Sequence, residues 1–274
     1  MNPWLETIGV ALLAGAGWWL GRWFSKLPAP YWGVGWLVPL ILVVLYALAI
    51  REPSFAFVPP VSWMMMGRTK YAVIGFITAM VLATLVPRLP RQRDRIYIHI
   101  LIAVVVCTKS LWPFLAPAFN RERLRQLKTV IDGNGVCLQG TEYNCGPAAA
   151  VTALRRLGVP AEEGEIAILT HTTSATGTPP DDLAIALQRR YGSEGLVAEY
   201  RQFSSIADLK PAGLTIAIIK YRFLIDHYVT VLEVTDKLVI VGDPDGGKKA
   251  FTHAQFDELW RHLGVTLRRS GFSK

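Results

Sequence analysis

Three short stretches carry side chains that could do chemistry together. "QGTEYNCGPAAA" (139–150) sets Cys145 directly ahead of Gly-Pro and a run of alanines, with Gln139 six places upstream. "DHYVTVLEV" (226–234) holds His227, and "KLVIVGDPDGG" (237–247) holds Asp243. A thiol, an imidazole, a carboxylate and a neutral amide are the parts of a nucleophilic acyl-transfer site. The thiolate attacks, the imidazole moves the proton, the carboxylate orients the imidazole, and the amide donates to the developing oxyanion.

Each part needs an element to hold it. Cys145 falls at the expected start of a helix, "CGPAAAVTALRRLG" (145–158), with a proline in the first turn, Arg155 and Arg156 near the end and Gly158 as a stop. The dipole and free N–H groups of a helix start favour a thiolate, and the Cys145 N–H can itself face an oxyanion. Gln139 suits the second oxyanion donor, because an amide stabilises charge without titrating. A cysteine alone is more often a small buried filler, so the partners decide. Of the five histidines, His99 lies in an apolar run, His171 in a Thr-rich loop, and His253 and His262 on or beside a late helix. His227 opens a strand, where a rigid sheet edge can present its ring. The next strand, joined through "TDK", ends at Asp243 just before a turn, so a hairpin brings Asp243 to the same edge as His227. Asp226 projects to the other face of its strand, and Asp245 reads as a turn residue.

The surrounding pattern is helices first and strands after. "AEEGEIAILTHT" and "PPDDLAIALQRRYG" read as two further helices. "LVAEYR", "LTIAIIKYR", "HYVTVLEV", "KLVIVGD", "KKAFT" and "GVTLRR" are short and rich in β-branched residues, as strands are. "THAQFDELWRHLG" interrupts them as a helix capped by Thr252 and stopped by Gly264. That order is α+β with a mostly antiparallel sheet.

Gln139, Cys145-Gly146 opening an Ala-rich helix, His227-Tyr228-Val229 and Asp243-Pro244 together resemble cysteine peptidase family thirty-nine. These are papain-like peptidases known as the leader-removing domains of bacteriocin exporters. The resemblance covers roughly residues 134–265, and "ATGTPPDDLAIAL" looks like the family's middle segment. It implies Cys145 as nucleophile, His227 as general base and then acid, Asp243 as its orienter and Gln139 in the oxyanion hole. It also implies a peptide or protein substrate cut after a small-residue pair, typically Gly-Gly. This chain departs from the exporters in order: apolar segments precede the domain, and there is no phosphate-binding "GxxxxGK[ST]" loop. A separate ABC-type exporter is therefore a candidate partner. Asn144 stands before the cysteine, where the family commonly has an acidic residue.

Residues 1–119 have another character. Just over half of the 274 residues are hydrophobic and 18% are charged, greasy for a soluble protein. The net charge of +8 is concentrated up to Asn120, where ten Lys/Arg face three Asp/Glu. Basic residues between apolar runs are what flanks membrane spans, and no basic patch with interleaved aromatics points to nucleic acid. About four spans are expected, near 7–21, 31–50, 71–87 and 96–119. "SFAFVPPVSWMMMG" (54–67), broken by Pro59 and Pro60, reads as a loop or interfacial segment whose methionines pack or face lipid. Residues 120–133 read as an amphipathic linker, with Leu124, Leu127 and Ile131 on one helical face.

The expected architecture is thus an α-helical transmembrane region over 1–119, then an α+β papain-like peptidase domain over 134–274, in a multi-pass protein of the cell membrane. Charge between the loops is nearly balanced. Discounting the linker's basic residues leans the first and third loops inward and the C-terminal domain to the extracytoplasmic side. Cys107 reads as a lipid- or helix-packed residue in a span and Cys137 as a free thiol. Three cysteines without C-x-x-C spacing give no zinc set, and no cofactor or metal is expected. Two functions fit: a membrane-anchored cysteine peptidase, or a catalytically silent peptidase-like domain that binds a leader or signalling peptide for a partner transporter. A transport protein with an incidental soluble tail ranks last, because His99 and Lys109 are the only intramembrane ionisable candidates.

Overall fold

A computed structural model describes residues 2–222 and 225–270. Met1, Phe223, Leu224 and residues 271–274, the last four of which the sequence reading places in the C-terminal domain, lie outside the described residues. By contacts the chain divides into two units, Met1–Phe119 and Asn120–Lys274.

The first unit is helical. It holds α1 (Pro3–Phe24), α2 (Leu37–Arg51), the short α3 (Val61–Met65), α4 (Thr69–Leu85), α5 (Gln92–Val105) and α6 (Trp112–Arg125), whose last residues pass into the second unit. A π-helical stretch, Val106–Leu111, joins α5 to α6. Among the described residues three helical stretches are long and apolar enough to cross a membrane: Tyr31–Ala49, Thr69–Arg88 and Gln92–Arg125. The sequence reading counts about four. The 7–21 segment does lie in a helix of sufficient length, but its tryptophans, glycines and Glu6 make α1 less apolar than the other three. Small residues let α1 and α4 pack closely. A Cβ on Gly17 would meet the Phe76 carbonyl oxygen at 2.6 Å, and one on Gly21 would strike that of Met80. At one end of this packing Arg68 is buried, paired with Glu6, and donates to the Pro113 carbonyl at 3.3 Å. The 54–67 segment is not a plain loop: it forms a 3₁₀ turn at Pro53–Phe57 and then α3, which buries Val61 and Met64.

The second unit places α7 (Cys145–Arg156), α8 (Glu163–Leu169) and α9 (Pro180–Tyr191) before the main sheet. A small hairpin, β1 (Val130–Ile131) and β2 (Cys137–Leu138), leads into α7. The main sheet comprises β3 (Leu196–Gln202), β4 (Leu214–Arg222), β5 (Ile225–Val234), β6 (Leu238–Asp243), β7 (Gly247–Thr252) and β8 (Trp260–Arg269). It is antiparallel throughout, in the order β3-β8-β4-β5-β6-β7. Two short helices, α10 (Leu209–Ala212) and α11 (His253–Leu259), complete it. The period of two along the strands builds two cores. Ile216, Ile218 and Tyr228 pack with Ala148–Val151 of α7, whereas Ala217, Ile219, Val229 and Val231 pack with Phe203, Phe256 and Trp260 on the opposite face.

Two expected elements are shorter than the sequence suggests. The amphipathic linker is helical only to Arg125; Leu124 is buried on that helix, but Ile131 belongs to β1. The β-branched run Thr129-Val130-Ile131 favours a strand. Asp132 then closes the hairpin turn by accepting from the Asn134 and Val136 N–H groups at 2.9 and 2.8 Å. The late helix stops at Leu259, well before Gly264. Trp260 pairs with Ile219 across β4 and is almost fully buried, so sheet pairing overrides the helical pattern of "WRHLG".

Thr152, fully buried on α7, ties the small hairpin to the helix. Its hydroxyl accepts from the Cys137 N–H at 2.9 Å and donates to the Ala148 carbonyl at 3.1 Å. Thr152→Val keeps the shape and strands the Cys137 N–H, which costs about 1–3 kcal/mol. Thermal unfolding of the full chain in detergent is expected to show a lowered melting temperature; an unchanged one would deny this bond any weight.

Candidate active site

Cys145 is the first residue of α7 and is buried. The helix forms because its inner residues are small: Ala148, Ala149, Ala150 and Ala153 are all fully buried, and alanine combines high helix propensity with the close approach that packing needs. Gly146 is required by contact. A Cβ there would lie 2.8 Å from the Thr178 Cβ, so Thr178, in the loop before α9, closes over the helix start. Thr178 is itself held, its hydroxyl 2.7 Å from that of Thr172 and its carbonyl accepting from the Tyr228 hydroxyl at 2.7 Å.

His227 opens β5 and Asp243 ends β6, and both are buried. The hairpin register pairs Thr230 with Gly242, which brings the strand start and the strand end together. The His227 Nε2 donates to Asp243 Oδ1 at 2.7 Å. That leaves Nδ1 free of the carboxylate, and Cys145 is near enough to the ring to act on its pKa. The Tyr221 ring lies 5.1 Å from the imidazole, centroid to centroid, and its hydroxyl donates to Asp245 at 2.9 Å.

Burial opposes charge on both groups, and the hydrogen bonds overcome it. For His227, desolvation pushes the pKa down. The bonds to Asp243 and Cys145, with the charges of both, outweigh it and raise the imidazole from 6.5 to about 9. For Asp243, desolvation pushes the pKa up. Bonds from His227, the Lys249 ammonium (2.6 Å) and the Asp245 N–H (2.9 Å) hold the carboxyl well below the usual carboxylate range.

Gln139 follows β2, and its backbone N–H donates to the Pro244 carbonyl at 2.9 Å. The glutamine loop is thereby tied to the residue after Asp243. Its side-chain Oε1 is buried and has no hydrogen-bond partner among the described residues. The cysteines at 107, 137 and 145 are all free thiols. Burial, with the nearby Glu163 charge, pushes the Cys137 thiol up to about 12, so it is protonated and inert at neutral pH.

The remaining polar candidates are engaged elsewhere. Asp226 accepts from Arg261 at 2.9 Å. His253 Nε2 contacts the Thr235 carbonyl oxygen at 2.9 Å, His262 lies 3.6 Å from Asp257, and His99 Nδ1 contacts the Arg95 carbonyl oxygen at 2.7 Å. Among the described residues no cluster of three or more His, Cys, Asp or Glu could hold a metal ion. Two participants escape sequence reasoning. Lys249 reaches Asp243 only because β6 and β7 pair Asp243 with Gly247, and Glu163 sits on another helix altogether.

The profile of the peptidase C39 family matches residues 134–270. An uncharacterised protein of Methanothermobacter marburgensis is 31% identical over 143 residues, spanning 52% of this chain and 94% of the relative. Another, from Methanothermobacter thermautotrophicus, is 28% identical over the same length and shares. Among solved structures, the peptidase domain of Streptococcus ComA, described as a bifunctional ABC transporter of a quorum-sensing pathway, is matched at 20% identity. It covers 53% of this chain and 100% of that domain, with a TM-score of 0.43. A double-glycine-motif protease from an AMS/PCAT transporter, solved with its leader peptide, has the same identity and coverage and a TM-score of 0.41. The C-terminal part of the chain is a papain-like domain, with helices preceding it. The chain belongs to the peptidase C39 family.

The raised imidazole carries a sign. A folded-state pKa of about 9 against the ordinary 6.5 means that His227 contributes stability in full below about 6.5 and loses it as pH rises through about 9. The melting-temperature advantage of the wild type over His227→Gln is expected to be largest near pH 6 and to shrink toward pH 10. An advantage that grows across that range would reverse the assignment.

Proposed function

We propose that the chain is a membrane-anchored cysteine peptidase that cuts a peptide or leader sequence after a small-residue pair of the Gly-Gly kind. The observation that carries the reading is the buried His227–Asp243 hydrogen bond at 2.7 Å, with Cys145 at the start of α7 close enough to the ring to act on its pKa. In this reading Asp243 holds the ring through Nε2 and stabilises its cation, so that Nδ1 faces the sulfur. The Cys145 thiolate attacks the scissile carbonyl, and the oxyanion is met by the Cys145 N–H and the Gln139 amide. The His227 imidazolium gives its proton to the leaving amine, and the acyl-enzyme forms. Water then attacks the thioester as neutral His227 takes its proton, and the thiol leaves.

Cys145→Ala and His227→Ala are each expected to lower cleavage of a Gly-Gly–aminomethylcoumarin peptide by roughly 10³-fold or more, with folding retained. Iodoacetamide at neutral pH is expected to label Cys145 in preference to Cys137. Cleavage retained by purified Cys145→Ala would defeat the peptidase reading. A folded wild type that neither cleaves nor labels selectively would favour peptide capture for a separate ABC-type exporter.

The domain layout belongs to the same proposal: a membrane region over 1–119 with α1 as a fourth span, a connecting segment over 120–133, and the peptidase domain over 134–274. The basic residues Arg22, Lys26, Arg88, Arg91, Arg93 and Arg95 then flank one side. Facing them across the membrane are Arg51, Arg68 and Lys70, and Arg68 is neutralised by Glu6. With Arg68 and the basic residues of the 120–133 segment set aside, the charge bias favours the first and third loops inside and the peptidase domain on the extracytoplasmic side. Fusions to the C-terminus, expressed in a bacterial inner membrane, check this. Alkaline phosphatase is expected to be active and green fluorescent protein dark; the opposite pattern would put the domain in the cytoplasm.

A further inference from the structure

Between Gln139 and Cys145 the chain makes a short turn. Asn144 N–H donates to the Thr141 carbonyl at 3.2 Å, and Asn144 has no side-chain cap bond to α7 although it stands at the N-cap. Its side chain goes elsewhere. Asn144 Nδ2 donates to Glu163 Oε1 at 3.1 Å, and the Gly140 N–H donates to the same oxygen at 2.9 Å. Gly140 follows Gln139 and Asn144 precedes Cys145, so a single oxygen grips both ends of the turn.

Glu163 is well placed to act as a fixed post. It is fully buried at the start of α8, and its backbone N–H is held by the Thr129 hydroxyl at 2.8 Å. Gly164 beside it has no room for a Cβ, which would strike the Leu124 carbonyl. No ion pair neutralises it among the described residues, a costly state for a buried carboxylate. Burial accordingly pushes its pKa up, against the two hydrogen bonds. Among the described residues two buried atoms at this junction have no hydrogen-bond partner, Glu163 Oε2 and Asn144 Oδ1. Both are acceptors when Glu163 is ionised. A proton on Oε2 turns that atom into a donor.

We propose that Glu163 is a positioning residue for the thiol chemistry, clamping Gly140 to Asn144 so that the Gln139 amide and the Cys145 sulfur are held at one separation. It touches neither substrate nor the reacting atoms; it acts through the turn. The idea rests on the peptidase reading above. Loss of the clamp is expected to misplace the oxyanion donor relative to the nucleophile, which costs rate more than binding.

The test is kinetic, on the full chain in detergent with the Gly-Gly–aminomethylcoumarin peptide. Glu163→Ala is expected to lower kcat by roughly 10- to 100-fold with KM within about twofold. Glu163→Gln keeps a carbonyl oxygen for both donors, so it is expected to restore kcat to within about threefold of wild type. A general loss of packing would not be rescued by an amide in this way. Should Glu163→Ala fail to fold, Glu163→Asp, one methylene short of the turn, is expected to show the same kcat loss, and Glu163→Gln still decides. Wild-type kcat in the folded alanine or aspartate variant overturns the role of Glu163, as does a Glu163→Gln variant as slow as them. Wild-type protein that leaves the peptide intact overturns the peptidase reading instead.

Discussion

The carboxylate of Asp243 is the constraint around which the C-terminal unit is arranged. A carboxylate withdrawn from water is stable only if donors replace its hydration. Here an imidazole and a backbone N–H meet Oδ1, and an ammonium meets Oδ2. These donors come from three strands or their turns: His227 from β5, Asp245 from the turn after β6, Lys249 from β7. Satisfying one buried charge therefore fixes the relative positions of three neighbouring strands at one edge. The Gln139–Pro244 backbone bond adds the loop before α7 to the same junction. Orientation of the imidazole and integrity of the strand ends are one property, because the same oxygens serve both.

The second support is the closeness of α7 to the sheet. Its alanines leave no bulk between helix and strands, and polar contacts cross the seam. The buried Thr230 hydroxyl donates to the Ala149 carbonyl at 2.7 Å. A carbonyl inside a helix already accepts one bond, and its second lone pair lets a strand residue dock without breaking the ladder. Thr152 performs the complementary task for β2. The helix start cannot slide along the sheet without stranding one of these groups, so the sulfur at that start stays near the ring that β5 presents.

Much of this was legible in the sequence, and the reasons differ by element. The helix at 145 announced itself through proline at its third position and a run of alanines, and the strands through β-branched composition. The meeting of His227 with Asp243 followed from hairpin geometry alone: a strand start and the next strand's end share an edge. Composition failed where tertiary pairing overrode local preference. "WRHLG" continues a helical pattern but buries Trp260 in the sheet. Leu127 and Ile131 keep a helical spacing with Leu124, yet the β-branched run and the Asp132 turn end the helix. The Lys249 and Glu163 contacts were invisible because each joins residues through a register or a helix pairing that no local pattern encodes.

The departure at position 144 gains a physical meaning from that hidden contact. An acidic side chain there would bring a second carboxyl group against Glu163 in a buried site, and both could not remain ionised at low cost. An amide meets a carboxyl group without that conflict, since its NH2 donates to one oxygen and its carbonyl can accept from the other if protonated. Asn144 and a buried glutamic residue on α8 are thus mutually consistent, whereas an acid at 144 would ask for a different partner. The residue next to the thiol is best understood through the side chain nineteen positions away that receives it. Its neutrality also keeps a negative charge from standing beside a nucleophile that must itself carry one.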